Sequence, residues 1–273
     1  MVRDDEAVER RVAGVAARIE GRGTPVLLLH GIGGCAASFA EQQGRLDGFT
    51  TIAWDAPGYG DSVDLPADRS AEPADRYARA AVDLLQGLGH SRAHVVGVSW
   101  GGVIATRMAL RYPEMMRSLT LVDSSRGSGR TATGRVGMLR RVDELAQLGG
   151  DAFARSRGPN LLAPDAPVAV VDRVIATMAR VRLTGYQGAA EMMAATDHSA
   201  DLRRITAPTL VLVGEHDRVT GVPESEALAG GIPGARFVIV PGGGHAVHQE
   251  NPSAFNAELC RFLTEVERER QPA

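Results

Sequence analysis

The chain has 273 residues, 44% of them hydrophobic and 23% charged, with a formal net charge of −3 and a pI near 6.2; this is ordinary globular composition, long enough for one sizeable core carrying an insertion. That balance lacks the basic excess of a nucleic-acid partner, and no apolar run approaches the ~18 residues of a membrane span, so neither a nucleic acid nor a membrane is expected as partner. All 30 basic residues are arginine, which excludes a phosphate-loop lysine, a pyridoxal Schiff base and a lysine nucleophile.

Residues 1–6 mix charges where a secretory leader needs a basic start and an apolar run, so a cytoplasmic location is expected. Residues 8–19 suit one or two leading strands. Short apolar, β-type runs then recur at 26–30, 50–54, 93–98, 118–123, 208–214 and 236–240. Helical stretches at 37–46, 73–88, 100–111, 223–229 and 252–267 alternate with them, several opened by proline. Such alternation predicts a mostly parallel sheet flanked by helices. Between 124 and about 204 the strand rhythm stops, and helical patterns at 135–148, 168–181 and 186–195 predict an inserted helical cap. The domain expectation is therefore a core of residues 1–123 and 205–273 with a cap of residues 124–204. The Gly, Ser and Arg-rich stretch 126–135 reads as a mobile linker or a plain surface loop. Cys35 and Cys260 are expected as free thiols.

The central chemical signal is Gly97-Val98-Ser99-Trp100-Gly101-Gly102, a G-x-S-x-G turn with a β-type run before it and a helical stretch after it. That context holds a serine at the C-terminal edge of the sheet, so Ser99 is the candidate nucleophile. A serine hydroxyl needs a base. Of seven histidines, His245 in Pro241-Gly242-Gly243-Gly244-His245 lies just past the last strand, at the same sheet edge; His248 is the alternative. The imidazole in turn needs an acceptor on its other nitrogen. Asp217, after the 208–214 run, has the required place in the chain order, and Asp123, ending the previous strand, competes with it. Two backbone amides should meet the developing oxyanion: that of Trp100, and one from His30-Gly31-Ile32-Gly33-Gly34, for which Ile32 is the candidate.

These motifs, with His30-Gly31 and the Asp55-Ala56-Pro57-Gly58-Tyr59-Gly60-Asp61-Ser62 loop, resemble the α/β-hydrolase superfamily over nearly the whole chain. Within it the sequence is most similar to enol-lactone hydrolases of the 3-oxoadipate type. The resemblance implies the α/β-hydrolase fold, with a small-molecule ester or lactone as substrate and no metal or organic cofactor. Haloalkane dehalogenases and epoxide hydrolases carry Asp where this chain has Ser99. Carbon–carbon bond hydrolases of meta-cleavage products usually show a different glycine pattern after His-Gly and Met after Ser, against Ile32-Gly33-Gly34-Cys35 and Trp100 here. They stay an alternative, as do a cofactor-free perhydrolase and a receptor that keeps the triad. From the cap, Met138, Phe153, Met178, Tyr186, Met192 and Met193 are apolar candidates for the pocket, and Arg155, Arg157, Arg180 or Arg182 could bind a substrate carboxylate.

Overall fold

The structure, a computed structural model, describes residues 7–66 and 71–270. Residues 1–6, whose mixed charge underlies the expected location, lie outside them. Eight strands form one sheet, β1 (Val8–Val12), β2 (Val15–Gly21), β3 (Thr24–Leu29), β4 (Phe49–Trp54), β5 (Ala93–Val98), β6 (Met116–Val122), β7 (Thr209–Gly214) and β8 (Arg236–Val240). Their order across the sheet is β1-β2-β4-β3-β5-β6-β7-β8. Strands β1 and β2 make a hairpin, and β2 pairs antiparallel with β4; every other pairing is parallel. Both residues of the hairpin's turn, Ala13 and Gly14, have positive φ (49° and 82°), the combination whose twist matches the flanking strands.

The sheet is covered on both faces. Period-two alternation sends Leu27 and Leu29 of β3 to one side, with α1 (Pro73–Gly87) and α2 (Trp100–Arg111). Val26 and Leu28 go to the other, with Phe255, Leu259 and Phe262 of α7 (Pro252–Arg270). Strands buried on both faces read as unbroken apolar runs, which is why the parallel ones stand out in the sequence.

The expected helix at 37–46 is instead a 3₁₀ turn, Ala36–Phe39, followed by turns. Gly44 has φ 64°, outside the helical region, and the buried side chains of Gln42 and Gln43 donate to the carbonyls of His248 and Arg18. Those long-range bonds hold the segment in a shape no helix could offer them. Between β6 and β7 there is no strand; the segment holds α3 (Ala132–Arg157), α4 (Val168–Ala179) and α5 (Leu183–Ala195). Helix α3 is broken at Gly149 (φ 73°). The 126–135 stretch carries a 3₁₀ turn, Ser128–Arg130. It is tied down, because Arg126 donates from its amide and guanidinium to Glu224 of α6 (Val222–Gly231), and Arg130 reaches the same carboxylate. Cys35 and Cys260 are free. Among the described residues no helix is long and apolar enough to cross a membrane.

Candidate active site

Ser99 stands between β5 and α2 with φ 52° and ψ −114°, a backbone state that costs a non-glycine residue about 1–3 kcal/mol. The surroundings enforce it: Ser99 N donates to Val122 O at 2.8 Å, and Ser99 O accepts from Gly102 N at 2.9 Å and from the Ser124 hydroxyl at 2.8 Å. The turn is too tight for side chains at its flanks. A Cβ on Gly101 would lie 2.1 Å from Leu29 O, and one on Gly97 would lie 2.3 Å from Gly101 O.

His245 reaches this serine from the loop after β8, Nε2 to Oγ at 2.9 Å. Its Nδ1 is 3.0 Å from each carboxylate oxygen of Asp217, which sits on the loop after β7. Asp217 is fixed by three further donors, Val219 N (2.8 Å), Thr220 N (3.2 Å) and the Thr220 hydroxyl (2.6 Å). Burial would raise this carboxyl, but the His245 imidazole, Thr220 and Val219 outweigh it and hold it down at about 2. For His245, burial opposes charge, yet the bond to Asp217 and the carboxylate charges of Asp217 and Asp123 win and raise its pKa. The site therefore keeps an ionised acid beside a strengthened base.

The rival residues have other partners. Asp123, fully buried, accepts from Gly214 N and Val247 N. The His248 ring packs between Phe39 and Phe255, and among the described residues neither of its nitrogens has a partner; burial pushes it down to about 3, helped by His245 and Arg173. His30 accepts from Ala56 N at Nε2 (3.1 Å), so its Nδ1 donates to Gly31 O (2.8 Å) and fastens the loop that holds Ile32. His94 bonds Ser118 and His198 bonds Val103 O. His216 lies beside Glu215 on the surface.

Ser99, His245, Ile32 and Trp100 all border one cavity of about 330 Å³. Trp100 opens α2, and first-turn amides have no intrahelical acceptor. Its indole packs against Tyr77 and Tyr59, with Nε1 on Met192 Sδ at 3.1 Å. From the helical segment Met138, Met178, Tyr186 and Met193 line the cavity, whereas Phe153 supports Tyr186 from behind. Of the four arginines singled out from sequence only Arg157 borders it, and it is paired with Glu144. Arg182 braces the carbonyls of Gly58 and Ser62 instead. The sequence reading missed Arg141, which also lines the cavity and lies close enough to Tyr186 and His245 to work against the rise in both their pKa values. Only its place one turn beyond Met138 on the same helix could have flagged it.

The helical segment also touches the histidine's own loop. His245 N donates to Leu161 O at 2.6 Å, and Glu250 accepts from Ala163 N (2.6 Å) and from Gly244 N (2.8 Å). Among the described residues no group of three His, Cys, Asp or Glu side chains converges as a metal site.

The sequence matches the family described as "Alpha/beta hydrolase family" over residues 26–258. Among curated proteins it is 32% identical to the "Putative carbamate hydrolase RutD" of Azorhizobium caulinodans, covering 91% of this chain and 94% of that one. Among solved structures, a thermophilic esterase from Thermogutta terrifontis aligns with a TM-score of 0.85 at 26% identity, over 96% of this chain and 99% of the other. The enol-lactonase from Burkholderia xenovorans LB400 has a TM-score of 0.83 at 22% identity, over 94% and 100%, a likeness of fold.

Proposed function

Because this chain belongs to the alpha/beta hydrolase family, we propose that it is a serine hydrolase cleaving a carboxylic ester or (enol-)lactone through an acyl-enzyme on Ser99. The observation that carries this reading is the unbroken line from Ser99 Oγ through His245 to Asp217, at 2.9 and 3.0 Å, bordering a cavity of about 330 Å³. Ser99 Oγ attacks the carbonyl carbon while His245 Nε2 takes its proton. The amides of Ile32 and Trp100 receive the oxyanion. Collapse of the tetrahedral species breaks the bond to the alcohol oxygen, which leaves with the proton returned by His245. For a lactone that alcohol stays tethered to the acyl group. Water then repeats the sequence and frees Ser99. Residues 124–204 act as a cap that closes the cavity over the reacting carbonyl.

His245 must be neutral to accept the proton, so kcat/KM should rise with pH along a single limb and then level off. Since its pKa is raised from 6.5, the limb should lie above pH 6.5. A pH–rate profile from pH 5 to 9 with a fast aryl ester tests this; a flat profile would remove His245 as the base.

The cap's contribution to specificity falls to Arg141. Among the described residues the other two arginines of the cavity, Arg157 and Arg130, have their carboxylates in Glu144 and Glu224, while Arg141 makes no ion pair, leaving donors for a substrate anion. A carboxylate-bearing lactone should therefore outrun its neutral methyl ester by about 10- to 150-fold in kcat/KM. The ratio should collapse in Arg141→Met and survive in Arg182→Met. Equal rates for acid and ester in the native enzyme would leave a general apolar-ester hydrolase.

A carbamate is the second reading, on the 32% identity to the RutD protein. It needs the same nucleophile and oxyanion amides. Turnover of matched ester, lactone, carbamate and vinylogous diketone substrates on one preparation decides between ester, carbamate and carbon–carbon cleavage.

A further inference from the structure

The competing acid of the sequence, Asp123, is not on the imidazole, yet its surroundings are unusual. Its side chain is fully buried at the C-terminal end of β6, and its backbone has φ 46°, a conformation that costs a non-glycine residue energy. Its own amide is used by Leu212 O of β7 at 2.9 Å. The carboxylate then divides between two segments. Oδ1 accepts from Gly214 N at 2.8 Å, three residues before Asp217, and Oδ2 accepts from Val247 N at 3.2 Å, two residues after His245. The same two segments lie against each other without side chains between them: His216 N donates to Gly243 O at 2.8 Å, and a Cβ on Gly214 would come within 2.2 Å of Gly244 O.

We infer that Asp123 is a positioning residue for the triad, a single buried carboxylate that ties the loop carrying Asp217 to the loop carrying His245. The inference rests on the serine-hydrolase reading above. Two backbone donors from different loops on one carboxylate fix the separation of those loops, and with it the distance from Asp217 to His245. The link is also electrical. Burial raises the Asp123 carboxyl to about 7; the Asp217 charge adds to the rise, and His245 and the two amide bonds oppose it. Asp217 and His245 are the charged groups that face it. Conversely, the Asp123 charge is one of the influences raising His245. A neutral isostere should loosen the alignment and weaken the base together.

The experiment compares the native enzyme, Asp123→Asn and Ser99→Ala in steady state across pH with one aryl ester, alongside thermal unfolding. Asn is expected to lower kcat about tenfold at little-changed KM. It should also shift the acid limb of kcat/KM to lower pH by about half a unit, because a negative charge near the imidazole is lost. A purely structural role would lower Tm and leave the limb where it was. An unshifted limb with native kcat, in an enzyme that Ser99→Ala inactivates, would overturn the inference and leave the triad standing. Full activity of Ser99→Ala would instead remove the reading beneath it. Should Asn fail to fold, Asp123→Ser, smaller and still an acceptor, takes the same readings; failure of both to fold would assign Asp123 to the scaffold and overturn the inference.

Discussion

Replacing Ser99 by Ala is expected to lower kcat by about 10⁴- to 10⁶-fold while leaving the protein folded. The shape of the turn is enforced by the close contacts at Gly97 and Gly101 and by the bond from Ser99 N to Val122 O, none of which involves the hydroxyl. Alanine keeps the backbone and loses only Oγ, so circular dichroism and Tm should stay near native values. His245→Ala should fall by a similar factor, since Oγ cannot lose its proton to any other histidine: His245 alone of the seven is within hydrogen-bond distance of it. Groups acting as one unit are not additive. The double variant should accordingly be scarcely worse than either single one. Activity of Ser99→Ala within about tenfold of native would end the acyl-enzyme mechanism.

Asp217→Asn is expected to cost about 10⁴-fold in kcat, with Asp123→Asn far milder. The reason is the tautomer. Both Asp217 oxygens face His245 Nδ1 at 3.0 Å and can only accept, so Nδ1 carries the proton and Nε2 is free to take another from Ser99. The Val219 and Thr220 amides draw the asparagine oxygen toward themselves, as they do Oδ1 of the native residue. The NH₂ then turns toward Nδ1 and favours the tautomer with its proton on Nε2, where it blocks acceptance from Ser99. Steady-state kcat for the two variants at the pH plateau checks the order. If Asp123→Asn proves the more damaging, the acid lies on the earlier strand.

Much of the framework is legible in the sequence because its physics is local. Strands buried on both faces must be apolar throughout, as at 26–30 and 93–98, and glycines must flank a serine forced into positive φ. The order serine, acid, histidine follows from the sheet-edge loops after β5, β7 and β8, with the β6 edge left to Asp123. What escaped was decided by partners far along the chain. Gln42 is 206 residues from the carbonyl it meets, and that contact contributes to making 37–46 a set of turns. Arg141 is set apart from the arginines around it only by lying one turn beyond Met138. Whether a guanidinium faces Glu144, a carbonyl such as that of Gly58, or open cavity depends on how α3, α4 and α5 pack, which their own periodicity does not record.

One further consequence lies in the bonds that the 3₁₀ turn Gly158–Leu161 and Ala163 make with the histidine loop. Because Leu161 O is the acceptor for His245 N, and Glu250 holds Ala163 and Gly244 with one carboxylate, the helical segment cannot lift there without releasing the backbone of the residue on which Ser99 depends. Displacement of that turn and loss of imidazole alignment would thus be one equilibrium rather than two. Any displacement of that turn would withdraw the molecule from turnover, and a ligand that favours the bonded arrangement would raise the aligned fraction by the ratio of its affinities for the two states.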